Sequence, residues 1–432
     1  KQSLRSLHEV LQSDATYEEF QKEVAKISKR ETPYGPIACK MELPCEGEEP
    51  LVWHFCNPFA LLYAICESCP AWSKFIQKCL GGRSGGLILY TDECTPGNAL
   101  HPFNQREFTG IYYTIDKLPS WFRARKYGWL AVGYISTPKL KLVRGQLPGV
   151  CRHVLRYLYN PSGFSLSVGM LLPATTVLEK RFKLKLNLLC FMQDGKAHKV
   201  LSSTKGAGGM KCCSDCKNVG NFVDGHDQPL EGHPYLQHYA LAVPSQFDLH
   251  TSASFFEMAD KLADQHGKIG KGKFEDLQKH YGLNYDPDGM NYDKYLRSIY
   301  NPIDKTYWDP MHVLLQGGVA QYELNAFLYK AGELGVSLES VDVWMSEIHW
   351  PSGITTGPTG PKVLHLCVGR GSVLIEYEMC STHNFFLKGA ISKHVPFIFP
   401  VFPCRPCVSR QAQSFYIVCW PWLCPGLNMR CS

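Results

Sequence analysis

The sequence predicts an α/β fold built on a mixed sheet, with its elements in the order β-β-β-α-β. Three short segments rich in aromatic and β-branched residues, at 87–92, 108–115 and 129–137, are typical of strands. A fourth segment alternates apolar and polar residues and ends at Asp194. Between the third and fourth strands, one stretch keeps the i, i+3, i+4, i+7 spacing of an amphipathic helix through Leu147, Val150, Val154, Leu155 and Leu158.

This order is the ribonuclease H-like topology, in which the first and fourth strands lie side by side. Asp92 ends the first strand and Asp194 ends the fourth, so the two acids are predicted to lie together. Paired carboxylates of this kind can hold two magnesium ions about 4 Å apart for phosphodiester chemistry. The alternative is that both acids belong to ordinary turns, since Asp92 precedes the turn sequence Thr95-Pro96-Gly97-Asn98.

A Cys-x-x-Cys pair, Cys213 and Cys216, follows Asp194 within a loop rich in lysine and glycine. Such a pair supplies half of a structural zinc site. The signal is moderate because Cys66/Cys69 and Cys404/Cys407 share the spacing, and Cys212 can replace one member of the pair. The candidates for the remaining ligands are all histidines, namely His226, His233, His238 and the more distant His312.

Bulk composition agrees with a protein that carries a sizeable core and a mildly basic surface. The chain has 432 residues, 45% of them hydrophobic, and a net charge of +6, which suits a nucleic-acid partner as well as many other roles. Nineteen cysteines in so long a chain indicate reduced thiols and metal ligation rather than a disulfide framework. No apolar run reaches the roughly 18 residues of a membrane-spanning helix, so no membrane partner is predicted.

Four regions are predicted along the chain. A helical N-terminal region covers residues 1–80, the core with its Cys-x-x-Cys knuckle covers 81–220, and a helical insertion covers 221–350, with helices at 252–265, 274–281, 292–300 and 311–330. Residues 351–432 contain seven cysteines, nine prolines and only two acids. That irregular composition is more typical of a mispredicted exon, a retained intron or a frameshift than of a folded domain.

Four short matches connect the chain to a known family. They are Tyr90-Thr91-Asp92, the stretch Asp194-Gly195-Lys196-Ala197-His198-Lys199, the block from Lys205-Gly206-Ala207 through Cys213-x-x-Cys216, and Asp309-Pro310-Met311-His312 followed by Gly317-Gly318-Val319-x-x-Tyr322-Glu323-Leu324. On these residues the chain resembles the CACTA-type (En/Spm-like) DNA transposases, over about residues 30 to 335. The second and third matches in succession are the most specific.

The resemblance implies a ribonuclease H-like catalytic core with three acids, which cuts and joins transposon ends with Mg²⁺ or Mn²⁺. Asp92 and Asp194 match the first two acids, and Cys213, Cys216 and His312 match zinc ligands of an insertion. The resemblance further implies transposon-end DNA as the partner, a homo-oligomer, and a location in the nucleus.

The third acid of the family, a glutamate on a late helix, has no convincing match. Glu323 comes too early in the motif order, and Glu347 and Glu378 stand in unsuitable contexts. Three hypotheses therefore remain: an active strand-transfer enzyme, a catalytically inactive zinc-stabilised DNA-binding or interaction protein, and a decaying element without function.

Overall fold

A five-stranded mixed sheet lies in the first of the two units, residues 1–308 and 309–432, into which the chain divides. The structure is a computed structural model, and it describes residues 25–47, 49–94, 107–174, 181–220, 247–309 and 319–337. It also describes a few isolated positions, which are 22, 237–238, 245, 313, 340, 343, 356–357 and 360–361.

The first unit has seven principal strands. They are β1 (Ala38–Leu43), β2 (Leu51–Cys56), β3 (Gly85–Cys94), β4 (Phe108–Ile115), β5 (Leu130–Ser136), β6 (Leu186–Gln193) and β7 (Thr306–Trp308). The sheet order is β7-β6-β3-β4-β5. Strands β3, β4 and β5 pair antiparallel, whereas β6 runs parallel to both β3 and β7. Strands β1 and β2 form a separate antiparallel hairpin.

In the described part of the first unit, six helices of at least seven residues accompany these strands. They are α1 (Pro58–Ser68), α2 (Pro70–Leu80), α3 (Gln146–Leu158), α4 (Gly195–Leu201), α5 (Ser252–Gln265) and α6 (Lys271–Tyr281). The second unit contributes helix α7 (Val319–Glu333). Shorter helical segments are Ser120–Arg123, Lys126–Gly128, Thr137–Leu140, Gly206–Gly208, Met290–Tyr292, Leu296–Ser298 and Pro302–Lys305. Two-residue strands pair Glu31–Thr32 with Gly35–Pro36, Met170–Leu171 with Lys183–Leu184, Val219–Gly220 with Gln237–His238, and Thr356–Gly357 with Gly360–Pro361.

The predicted α/β class is confirmed, and the three strands and the helix that precede β6 fall within a few residues of their predicted bounds. Their periodicity is visible in the burial. Leu87, Leu89, Ile111 and Tyr113 are buried on one face of the sheet, against Val150 and Val154 of α3. Burying one such aliphatic side chain stabilises the fold by about 1.5–3 kcal/mol, so this face decides how the elements assemble.

The prediction of a mainly helical region over residues 1–80 is wrong for residues 38–56, which form the β1–β2 hairpin. Trp53 and Phe55 are both buried, with an exposed residue between them, which is the period of a strand. The hairpin rests on β5, where Trp53 Nε1 donates to the carbonyl of Tyr134 at 2.8 Å. A Cβ on Gly133 would lie 2.5 Å from the Trp53 ring, so this close approach requires glycine.

Two further predictions differ from the structure. The helix predicted at 292–300 is replaced by two 3₁₀ turns, because Asp293 between them turns inward to an ion pair. Strand β7 lies where a helical insertion was predicted, and three residues are too few to produce a periodic signal. The predicted helix at 252–265 is present with the same bounds as α5. Most of residues 310–318 and nearly all of 351–432 lie outside the described residues.

The ion pair of Asp293 fastens the segment after α6 to helix α3. Its carboxylate accepts from Arg152 Nε at 2.9 Å and from Arg156 Nη2 at 2.9 Å, and Asp293 is 4% exposed. Burial raises the pKa of Asp293, but hydrogen bonds from Arg156 and Arg152 lower it to about 2. The ion pair therefore stabilises the fold fully only above the unfolded-state pKa of about 3.9.

Asp293→Asn is expected to lower the free energy of unfolding by about 3 kcal/mol at pH 7, since two arginines lose their buried partner. The difference from the parent should shrink as the pH falls from about 5 towards 2, where the parent's own carboxylate is protonated. Urea denaturation across that range measures both effects. Asp260→Asn is the control, because Asp260 binds Arg297 on the surface and its loss should cost at most about 1 kcal/mol. Equal losses for the two variants would contradict the assignment.

Within the described part of the chain, no helix combines the length and the apolar character needed to cross a bilayer.

Candidate functional site

Asp92 and Asp194 lie at the same edge of the sheet, on neighbouring parallel strands. Tyr90 of β3 pairs with Met192 of β6. Asp92 follows Tyr90 by two residues, and Asp194 follows Met192 by two residues. Both acids are half-buried. Because parallel strands keep one register, the carboxyl ends of β3 and β6 carry their acids to adjacent positions.

A buried hydrogen bond holds this register just before the acids. Gln193 Nε2 donates to Thr91 Oγ1 at 2.6 Å, and Gln193 is fully buried. Since side chains alternate along a strand, Asp92 points to the face opposite Thr91. The Gln193–Thr91 bond therefore ties the two strands on one face while Asp92 occupies the other.

Asp194 also begins helix α4. Its Oδ1 accepts from the backbone N–H of Ala197 at 2.6 Å, which is an N-cap. A carboxylate has about four lone-pair positions, so a cap on one oxygen is compatible with a metal on the other. The cap also fixes the direction of the side chain.

Tyr112 and Tyr134 pack together beside the strand partner of Asp92, a feature that sequence reasoning missed. Gly110 of β4 pairs with Asp92, and the Tyr112 hydroxyl lies over Gly110, 2.5 Å from where a Cβ would be. Burial, followed by a hydrogen bond with Tyr134, raises the pKa of Tyr112 well above its usual value. Burial and the charge of Asp92 raise the pKa of Cys94. The available signal was the aromatic content of β4, which holds Phe108, Tyr112 and Tyr113.

The carboxylates of Asp92 and Asp194 supply some of the oxygen ligands that a hard divalent ion needs. Magnesium keeps several waters and is often held by only one or two carboxylates, which is what Asp92 and Asp194 offer. Among the described residues, no group of three or more histidine, cysteine, aspartate or glutamate side chains could hold a metal ion. Glu323 is exposed on α7 of the second unit, and Glu347 and Glu378 lie outside the described residues.

The knuckle, residues Cys213 to Cys216, is a turn in which the two thiols lie in contact. A hydrogen bond with Cys216 lowers the pKa of the Cys213 thiol, against the effect of burial. Antiparallel backbone contacts fix the turn, with His250 N donating to Asp215 O at 2.8 Å and Lys217 N donating to Asp248 O at 2.7 Å. Cys216 is 1% exposed. Two preorganised sulfur donors suit zinc.

The other zinc ligands proposed from sequence are not located. His226, His233 and His312 lie outside the described residues, and only the backbone of His238 is described. Cys212 is half-buried, and burial raises its pKa to about 11, which disfavours the thiolate that a metal requires. The described residues thus fit half of a tetrahedral site.

Helix α4 links the knuckle to the acid pair. His198, one turn after Asp194, places its Nε2 3.2 Å from Ser214 Oγ inside the knuckle. Its ring stacks on Trp308 of β7 at 4.2 Å, and burial lowers the pKa of His198 to about 4. The neutral imidazole of His198 on α4 therefore contacts both the knuckle, at Ser214, and β7, at Trp308. Sequence reasoning did not single out His198, although it stands within the quoted motif.

A comparison with protein-family models and with curated proteins finds no match for this chain.

Proposed function

We propose that this chain is a transposase-like protein with a ribonuclease H-like core, which cuts and joins DNA strands at transposon ends in the nucleus. The observation that carries the proposal is the parallel register of β3 and β6, which brings Asp92 and Asp194 to one edge of the sheet. The strand order β7-β6-β3-β4-β5, with an antiparallel meander followed by parallel strands, agrees with the proposed topology. Both acids also match the transposase motifs.

In the proposed reaction Asp92 and Asp194 hold Mg²⁺ or Mn²⁺, which supplies activation of the nucleophile and stabilisation of the leaving oxygen. The nucleophile is a water molecule or a 3′-hydroxyl, attacking the phosphorus in line. The N-cap of Asp194 and the Gln193–Thr91 bond hold the two carboxylates in place. Cys213 and Cys216, with His312, are proposed to bind a structural Zn²⁺. A homo-oligomer that pairs two DNA ends completes the proposal.

The test is nicking of a supercoiled plasmid by the purified full chain. We expect nicked circles with Mg²⁺ or Mn²⁺, and none with EDTA. Nicking that persists in EDTA would point to a contaminating nuclease. It would contradict the proposal that Asp92 and Asp194 act through a bound metal ion.

A second candidate function is a zinc-stabilised DNA-binding protein without catalysis. One observation favours it: no third acid joins Asp92 and Asp194 among the described residues. On this alternative the protein binds DNA in EDTA, with a steep dependence on salt, and leaves the plasmid intact in every metal.

A further inference from the structure

A loop rich in lysine, residues 205–211, is fastened to the C-terminal end of helix α6. Lys205 N donates to Gly282 O, and Met210 N donates to Lys279 O, both at 2.8 Å. The Lys279 carbonyl also accepts from the N–H of Gly282, so the loop adds to the hydrogen bonds that end the helix. Gly282, at φ +68°, ends the helix in the left-handed conformation, and a Cβ on Gly209 would lie 3.0 Å from its Cα. The loop is therefore held rigidly against the helix.

This docking gathers lysines that are distant in the sequence. The aliphatic end of Lys199 lies over Gly206, where a Cβ would be 2.6 Å from Lys199 Cε. The docking of residues 205–211 on the end of α6 brings Lys205 near Lys279. Burial and the charge of Lys279 lower the pKa of Lys205, and the charge of Glu275 raises it. Lys211, 7% exposed, lies in the same loop.

Acidic side chains compensate the positive charge here only in part, through Asp276 beside Lys279 and Glu275 near Lys205. Lys205 Nζ donates to the neutral amide of Asn284 at 2.7 Å, and the nearest carboxylate to Lys279 Nζ, on Asp276, is 3.5 Å away. Lys199 and Lys211 have no carboxylate partner among the described residues.

Three lysines outside this group are paired with acids of their own segment. Lys261, on α5, is held by Glu257 of the same helix at 2.8 Å. Lys268 is held by Asp264, and Lys330 on α7 by Glu333 at 2.8 Å. A fixed group of cations that acidic side chains compensate only in part is complementary to closely spaced phosphates.

We propose that Lys199, Lys205 and Lys279 form a surface that binds the phosphate backbone of duplex DNA. Lys211 lies beneath it and adds to the local positive potential. The choice of DNA as the polyanion rests on the proposed function, whereas the surface itself rests on the geometry of the loop and helix α6. Because lysine binds phosphate as a point charge, the surface contributes affinity without sequence preference.

The test is binding of a short labelled duplex DNA to the full chain in EDTA, at salt concentrations from about 50 to 200 mM. The variant is the triple substitution Lys199→Gln, Lys205→Gln and Lys279→Gln. The matched control is Lys261→Gln, Lys268→Gln and Lys330→Gln, which removes the same charge from lysines outside the proposed surface. Thermal unfolding of both variants establishes that each is folded.

We expect the slope of log K against log salt to fall by about 0.9 for each lysine that contacts a phosphate, and so by roughly 2–3 in the variant. Affinity at low salt should fall about tenfold or more, and the control should retain the parent slope. Equal slopes for the variant and the control would overturn the proposal that these lysines bind DNA. Binding by the parent that does not depend on salt would overturn it too. Binding is measured in EDTA and nicking is measured separately with Mg²⁺ or Mn²⁺, so the two proposals can fail independently. A protein that binds DNA through these lysines but never nicks the plasmid would support this inference and refute the enzyme.

Discussion

Asp92→Asn and Asp194→Asn are each expected to lower metal-dependent plasmid nicking by at least about 100-fold. Each substitution removes a charged oxygen donor, and the loss of several kcal/mol of metal-mediated stabilisation corresponds to a factor of this size. The fold should persist, because asparagine caps a helix about as well as aspartate. Asp194→Asn therefore separates the proposed metal role from the N-cap role, which Asp194→Ala would not.

Glu93→Gln is the matched control for these variants. Glu93 is adjacent to Asp92 in β3 but points to the opposite face, where it pairs with Lys196 at 3.1 Å on the surface. Its neutralisation should leave nicking and thermal stability nearly unchanged. If Asp92→Asn and Glu93→Gln nick as fast as the parent in a clean preparation, the acid pair is not catalytic.

Cys213→Ser combined with Cys216→Ser is expected to remove bound zinc and to lower the free energy of unfolding by about 3 kcal/mol or more. The reason is that the binding free energy of a structural metal is also folding free energy. The midpoint of thermal unfolding should fall by about 6–12 °C. Metal analysis of the purified protein and calorimetry measure the two losses together. Nicking should also fall, since His198 of α4 contacts Ser214 in the knuckle.

Cys45→Ser combined with Cys69→Ser is the control for the knuckle. Cys69 is exposed and Cys45 is half-buried, so both can be replaced without opening a core cavity. Although Cys66 and Cys69 share the Cys-x-x-Cys spacing, burial raises the pKa of Cys66 to about 12, which keeps that thiol protonated. A parent protein without zinc, or a double Cys213/Cys216 variant of unchanged melting temperature, would refute the zinc assignment.

The elements that carry the acid pair were predictable because their periodicity is local. The alternation of β6 and the helical spacing of α3 predict which face of each element is buried. The burial of Val150, Val154 and Leu188 agrees with that prediction. The hairpin at 38–56 was missed because each of its strands has only six residues, so that its alternation is a short signal beside the helical pattern that follows it. The predicted roles of Asp92, Asp194, Cys213, Cys216 and His312 stay predictions.

Local patterns in this chain were enough to predict the α/β class and the strands beside the two acids, since each depends on residues within a few positions of one another. They placed the end of β3 two residues too early, because the strand continues past Asp92 to Cys94. They were not enough to predict β7, the contacts of His198 with Ser214 and Trp308, or the Asp293 ion pair. They also could not predict that the loop with Lys205 docks on α6 near Lys279. Each of these depends on a contact between segments that are far apart in sequence or on a turn that only docking fixes. Loop closure and packing select among many such contacts, and no periodicity records that selection.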